Sequence, residues 1–281
     1  MSPEMFLTLA FLASLAGGLL GSLTGLGGGV VIIPILVLLM GVDMRYAVGA
    51  SLIAVIATSS GAAAAFVREG FTNVRLAMLL EVATVGGAIA GALLAASVPV
   101  PALSVILGVV MLWTAWQSRG APKPVAANVP PDALATKLRL DSTYPSRGED
   151  GTTASTPYHV RNVPGGFGLM VLAGMLSALV GVGGGILKVL AMDRVMRVPF
   201  KVSTTTSNFM IGVTAAASAG VYLHRGQIEP TIATPVALGA LAGSLIGARL
   251  LPRMQTKVLR LVFAVVVAIA GVQMILKGVK M

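Results

Sequence analysis

Two glycine-rich stretches carry the clearest chemical signal in this chain. Residues 25–29 and residues 181–185 both follow the pattern G-x-G-G-G. Glycine weakens a helix, so three in a row predict a break in the backbone. A short helix is expected after each break, and its free N–H groups and dipole favour an anion. We therefore predict an anion site that includes Gly27, Gly28, Gly29, Gly183, Gly184 and Gly185. Close helix packing through small residues is the alternative.

Hydroxyl and amide side chains follow each glycine stretch. Ser51 follows the first, and the run Thr204–Asn208 follows the second. Such groups are suitable donors for an oxyanion. Thr206, Ser207 and Asn208 are therefore predicted to bind the ligand together with Ser51. Hydroxyls in helices commonly bond to their own backbone, and that alternative stays open.

Two charged residues stand inside apolar runs. Lys188 lies three residues after the second glycine stretch, where it could balance an anionic ligand or extend to a membrane interface. Glu81 is a candidate proton carrier, because carboxylates within apolar segments often serve that role. An ordinary ion pair with Arg75 or Arg68 is the alternative for Glu81.

The elements that must position these residues recur along the chain. A shift of 156 residues places the first glycine stretch on the second and Ser51 on Ser207. The same shift places Gly87 and Gly91 on Gly243 and Gly247. The chain is therefore predicted to contain two copies of one unit.

The composition identifies the environment of this repeat. Hydrophobic residues make up 56% of the 281 residues and charged residues only 11%, which excludes a soluble or disordered protein. The chain has no cysteine and two histidines, so we expect no metal and no cofactor. There is no Walker lysine and no convincing acid–base or nucleophile set, so we do not expect an enzyme.

The sequence contains ten apolar segments. Most are long enough to cross the membrane as helices, and the shorter ones could be half-membrane helices. The sequence places them at Met5–Leu23, Leu26–Met40, Tyr46–Val67, Leu76–Val98, Ala102–Ser118, Gly165–Val180, Val182–Met192, Ser203–Leu223, Thr231–Leu251 and Val258–Leu276. Five segments per copy is an odd number, so the second copy enters the membrane the opposite way round. The predicted fold is an all-α membrane protein built from two inverted five-segment repeats with glycine-broken helices.

Three regions follow from this division. Residues 1–118 form the N-terminal repeat and residues 165–281 the C-terminal repeat. Residues 119–164 have no apolar period and are predicted to be a flexible, solvated linker. The first apolar segment lacks a preceding positive charge and is expected to be retained as a membrane helix rather than cleaved as a signal.

Lysine and arginine predict the orientation. With the N-terminus outside, fifteen basic residues fall on the cytoplasmic side and four outside. Both termini are therefore expected outside and the linker 119–164 in the cytoplasm of a bacterial inner membrane. The net charge of +10 is explained by this asymmetry, so we expect no nucleic-acid partner.

The glycine breaks and the residues after them resemble the TauE/SafE sulfite exporter family. In the first half the resemblance lies in GSLTGLGGGVVIIPIL (21–36) and YAVGASL (46–52). In the second it lies in SALVGVGGGILKVL (177–190), KVSTTTSN (201–208) and HRGQI (224–228). The resemblance covers both halves but not the linker, and it implies transport of sulfur-containing anions: sulfite, thiosulfate, or organosulfonates such as sulfoacetate.

Export by alternating access is the expected mechanism. A monoanion that leaves a negative-inside cell gains about 2.3 kcal/mol per 100 mV, so uncoupled export is favourable. A passive anion channel and proton- or sodium-coupled uptake of the same anions remain alternatives. The sequence leaves a homo-oligomer open.

Overall fold

The protein is predominantly helical, and its helices fall into two series. The computed structural model describes residues 2–24, 27–68, 70–117, 132–147, 153–250 and 256–280. The first series comprises α1 (Pro3–Thr24), α2 (Gly29–Pro34), α3 (Met44–Arg68), α4 (Val74–Ala95) and α5 (Val100–Gln117). After α6 (Ala133–Lys137), the second series comprises α7 (Val163–Val180), α8 (Gly185–Leu190), α9 (Phe200–His224), α10 (Pro230–Leu250) and α11 (Thr256–Lys280).

Corresponding helices of the two series begin and end about 156 residues apart, the spacing of the sequence repeat. A shift of 156 residues superposes α2 on α8 and α3 on α9 residue for residue. A π-helical turn follows the short helix in both halves, at Ile35–Leu39 and at Ala191–Val195. Pro34 precedes the first turn, but Leu190 stands at the equivalent position, so the π turn does not require a proline.

Five of the described helices are long and apolar enough to cross a membrane. They are Pro3–Ser22, Val74–Ala95, Val100–Gln117, Val163–Val180 and Pro230–Gly247. These helices support the prediction of a helical, multi-pass membrane protein.

Helices of one series pack against helices of the other. The main pairs are α1 with α10, α4 with α7, α5 with α11 and α3 with α9. Glycines allow the closest approach: a Cβ at Gly87 would lie 2.0 Å from the carbonyl oxygen of Val171, and one at Gly243 would lie 2.0 Å from that of Leu15. These two contacts are equivalent at the 156-residue shift, so the backbones cross in the same way in both pairs.

The stretch between the series differs from its predicted lack of structure. It contains the five-residue helix α6 and an antiparallel hairpin of β1 (Ser142–Arg147) and β2 (Thr153–Tyr158). Its apolar side chains join a core with the N-terminal part of α4 and the second π turn. The composition of 119–164 concealed this because few of its described residues are apolar and buried: Ala135, Leu140, Tyr158, Val160 and Val163.

Candidate functional site between the glycine breaks

The two glycine breaks lie against each other beside the helix pair α3 and α9. Gly27 and Gly183 occupy equivalent positions and have φ angles of +78° and +80°. A Cβ added at either glycine would contact Val55 of α3 and Ile211 of α9. These two residues are themselves equivalent at the 156-residue shift. Glycine suits these positions because the left-handed backbone disfavours other residues. The two glycine breaks therefore share one pair of neighbouring side chains, Val55 and Ile211.

A small cavity opens beside the first break. Its volume in this conformation is about 10 Å³, roughly the space of one water molecule, and it is lined by Gly21, Ser22, Gly27, Thr58, Ser59, Asn208 and Ile211. Asn208 is 6% exposed, and its Nδ2 has no hydrogen-bond partner among the described residues. A buried amide nitrogen without a partner is costly, which makes this atom available to a ligand.

Ser59 fixes the backbone that carries Asn208. Its Oγ donates to the Asn208 carbonyl at 2.6 Å and accepts from the N–H of Gly212 at 3.0 Å. The serine thereby satisfies two groups of α9 from α3. It was not predicted from the sequence, because its partner lies 149 residues away.

Ser51 and Ser207 bond to carbonyls of the second break. Ser51 Oγ donates to the carbonyl of Gly181 at 2.8 Å, and Ser207 Oγ donates to that of Gly185 at 3.2 Å. Both serines are fully buried. In this conformation Ser51 supplies a donor to the carbonyl at the end of α7, and Ser207 joins α9 to the first residue of α8.

Thr206 faces a different neighbour. Its Oγ1 accepts from the N–H of Asn73 at 3.1 Å. Asn73 caps α4 through Leu76 and also donates to the carbonyl of Leu140 and the hydroxyl of Tyr158, both at 2.8 Å. Thr206 therefore joins α9 to the loop before α4 and, through Asn73, to the hairpin region.

Lys188 is enclosed in the protein rather than extended to an interface. Its exposed fraction is 0%, which disfavours the alternative of a lysine that extends to the membrane interface. The ammonium donates to Thr214 Oγ1 on α9, and Thr214 Oγ1 lies 2.7 Å from Glu81 Oε1 on α4. The structure thus places Glu81 with Thr214 and Lys188, whereas the sequence suggested Arg75 or Arg68.

Known proteins share the part of the sequence that contains both glycine breaks. The sequence pattern of the family described as Sulfite exporter TauE/SafE matches residues 10–274. The chain belongs to this TauE/SafE family. It is also 26% identical to the probable membrane transporter protein YunE of Bacillus subtilis (strain 168), over 98% of this chain and 99% of YunE. No solved structure matches the chain.

The TauE/SafE family is a family of membrane transporters. In this member, the predicted site residues line two different cavities. Gly27 and Asn208 line the cavity at the first break. Gly184 and Gly185 line a separate, mostly apolar pocket beside α5. Gly29 packs on Ser51, since a Cβ there would lie 2.5 Å from the serine oxygen.

The two breaks are related but not identical. Gly28 has right-handed backbone angles, with φ −69°, whereas its equivalent Gly184 has φ +65°. Charge differs as well: Ile32 stands where the second copy has Lys188. Thr214 went unnoticed in the sequence, although its match with Thr58 at the 156-residue shift was a usable signal.

Proposed function

We propose that this protein is a secondary transporter of small sulfur-containing anions: sulfite, thiosulfate, or organosulfonates such as sulfoacetate. The observation that carries the proposal is the buried Asn208 Nδ2, which has no partner among the described residues and belongs to a cavity at a glycine break. A small oxyanion would accept a hydrogen bond from this amide. The family supplies the sulfur chemistry.

The predicted glycine and hydroxyl residues would contribute in two ways. Gly27, Gly28 and Gly29 and their equivalents Gly183, Gly184 and Gly185 would bring backbone to the anion without a side chain in the way. Ser51, Thr206 and Ser207 would hold the backbone around the site through the bonds described above. Lys188 would add positive charge from α8.

An inverted repeat would give the protein its two access states. Five segments in the first series, the shared boundaries and the equivalent contacts of Gly87 and Gly243 support two units related by a pseudo-two-fold axis. Rocking of one unit against the other would expose the cavity to each side in turn. We place both termini outside and residues 119–164 in the cytoplasm of a bacterial inner membrane, on the fifteen-to-four distribution of basic residues.

Export is the direction that we propose for an uncoupled carrier, because the membrane potential drives a monoanion outward. Uptake coupled to a cation is the second candidate, and the buried carboxylate of Glu81 favours it. A passive channel would differ from both in showing conductance steps in a bilayer, whereas a carrier shows saturable exchange.

The direct test is flux of ³⁵S-labelled sulfite and sulfoacetate in proteoliposomes under an imposed potential. We expect saturable transport by the purified wild-type protein, and a lack of flux for every sulfur anion would contradict the proposal. Gly28→Val and Gly184→Val should abolish flux if the breaks form the site. Gly220→Val is the matched control, since a Cβ at this position on α9 meets nothing within 4 Å.

A further inference from the structure

Three helices each contribute one polar side chain to a buried chain of hydrogen bonds. Lys188 comes from α8, Thr214 from α9 and Glu81 from α4. The lysine is fully buried, and so is the hydroxyl that separates it from the carboxylate. With both end groups ionised the chain is neutral, so Glu81 compensates the ammonium in this conformation.

Glu81 has one oxygen free to take a proton. Oε1 accepts a hydrogen bond from Thr214 Oγ1, whereas Oε2 is buried and has no partner among the described residues. The elements around Glu81 carry few other titratable groups. They are Arg75 on α4, Lys188 on α8, Asp193 and Arg194 in the second π turn, Lys201, Tyr222 and His224 on α9, Arg225 just after α9, and Tyr144 and Tyr158 of the hairpin. Helix α7 has none, and Lys188 is the charge that acts on Glu81.

The fold itself does not require this charge pair. The equivalent positions at the 156-residue shift are Ile32 and Thr58 in the first copy and Ala237 on α10 of the second copy. There the hydroxyl of Thr58 donates to the carbonyl of Val55 in its own helix and lines the cavity. Ile32 and Ala237 thus form the corresponding place of the same architecture without any charge. The fold therefore does not need Lys188 and Glu81 to hold these helices together.

The charge pair lies within electrostatic reach of the cavity. Thr214 and Asn208 stand six residues apart on α9, about 9 Å along the helix. Charges at such a separation interact across a protein interior because the surroundings screen them weakly. A change in net charge at the pair would therefore be felt by an anion beside Asn208.

We propose that Glu81, Thr214 and Lys188 form a proton-coupled charge switch. A proton from water binds Glu81 Oε2 and neutralises the carboxylate, and the Lys188 ammonium is left without compensation. An anion in the cavity then restores neutrality, so the proton and the anion bind together and cross together. This inference rests on the proposed transport of sulfur-containing anions, takes the coupled carrier in place of the uncoupled exporter, and names the proton as the coupling ion.

Coupling changes which gradient moves the anion. One proton with one monoanion makes the cycle electroneutral, so the membrane potential no longer drives it. Direction is then set by the anion gradient and the pH gradient, and export runs down a high cytoplasmic concentration of the anion. The uncoupled exporter responds in the opposite way, to potential and not to pH.

The test uses ³⁵S-labelled methanesulfonate, which keeps a single negative charge between about pH 5 and pH 8 because its sulfonate is a far stronger acid than any carboxyl side chain. For one-to-one coupling, vesicles with an alkaline interior should accumulate the anion about tenfold per pH unit. Glu81→Gln should only equilibrate it. Flux that follows potential but not pH, or a pH-driven gradient retained by Glu81→Gln, would overturn the switch. Glu4→Gln, an exposed substitution on α1, is the matched control.

A double variant guards against misfolding of Glu81→Gln. Glu81→Gln leaves the buried ammonium unpaired, whereas the double variant Glu81→Gln with Lys188→Gln removes both charges and should fold more readily. Thr214 is a positioning residue: Thr214→Val should shift the pH at which accumulation is half-maximal, and Thr214→Ser should restore it. Equal pH profiles for Thr214→Val and wild type would contradict this role.

An infrared titration tests the switch without transport. As the pH falls, the purified protein should gain a protonated-carboxyl band that is missing from Glu81→Gln and present in Glu4→Gln. Identical band changes in wild type and Glu81→Gln would overturn the switch. If methanesulfonate, sulfite and sulfoacetate all fail to move while this band titrates, the proposed substrate class is wrong and the proton site stands.

Discussion

The side-chain amide of Asn73 donates a 2.8 Å hydrogen bond to the hydroxyl of Tyr158. Asn73 stands at the start of α4, and Tyr158 ends the second strand of the hairpin. Both side chains are buried, and Asn73 also contacts Thr206 of α9 through its N–H. Asn73, in the loop before α4, therefore connects the hairpin to α9, a helix of the proposed transport site.

Tyr158→Phe tests this bond. The substitution leaves one Asn73 N–H without a partner, so we expect the protein to lose about 1–3 kcal/mol of stability. Thermal unfolding in detergent measures the loss. Tyr144→Phe, on the neighbouring strand, is the control and should unfold close to wild type. Equal effects of the two substitutions would contradict a special role for Tyr158.

The same residue predicts a pH dependence. Burial raises the pKa of the Tyr158 phenol above its ordinary value. The unfolded chain then loses this proton more easily than the folded protein, so the stabilisation is complete below about pH 10 and is lost as the pH rises through the folded-state pKa. Unfolding temperatures measured from pH 8 upward should therefore fall less steeply for Tyr158→Phe than for wild type.

Adjacent glycines on α4 should respond differently to the same substitution. Gly87→Ala places a methyl group 2.0 Å from the Val171 carbonyl, whereas Gly86→Ala meets nothing within 4 Å. We expect Gly87→Ala to lower stability by about 1–3 kcal/mol and Gly86→Ala to be neutral or slightly stabilising. Gly243→Ala should behave like Gly87→Ala because its contact with Leu15 is equivalent. A stable Gly243→Ala would argue against equivalent packing of the two helix pairs.

Ser51→Ala separates support of the backbone from contact with a ligand. The substitution leaves the Gly181 carbonyl without its donor, so stability should fall by about 1–3 kcal/mol. If Ser51 only holds the break, the increase in unfolding temperature caused by sulfite or sulfoacetate should persist. Loss of that increase at unchanged intrinsic stability would instead place the hydroxyl on the ligand.

Asn208→Leu tests the cavity directly. It keeps a similar volume but removes the donor, so affinity for the transported anion should fall about 10- to 100-fold, the effect of one hydrogen bond to a charged group. Thr204→Val is the control on the same helix, since the Thr204 hydroxyl bonds to the carbonyl of Phe200. Unaltered affinity in Asn208→Leu would remove Asn208 from the site.

The absence of cysteine from the chain makes its topology directly testable. Single cysteines at Ser2 or Lys280 should react with an impermeant maleimide added to intact cells. A cysteine at Thr143, on the exposed part of the hairpin, should react only after the membrane is opened. The reverse pattern would contradict the proposed orientation.

Much of the fold was predictable because its signals are local. Continuous apolar runs require helices in a membrane, since each helix satisfies its own backbone there. The G-x-G-G-G stretches at 25–29 and 181–185 predicted the breaks, and the 156-residue shift predicted which elements correspond. The hairpin region was not anticipated, because Leu140, Tyr158 and Val160 are too few and too scattered to produce a period.

The candidate site depended on contacts far apart in the chain. The sequence by itself determined the residue types: glycine where the backbone breaks, Asn208 after it, and two charges among apolar neighbours. Only the tertiary structure decided that Ser51 and Ser207 bond to carbonyls, that Asn208 keeps a donor without a partner, and that Thr214 bridges Lys188 and Glu81. The physical reason is that a hydrogen bond is decided by the meeting of two particular atoms, and here those atoms lie on helices that sequence periodicity can define but cannot pair.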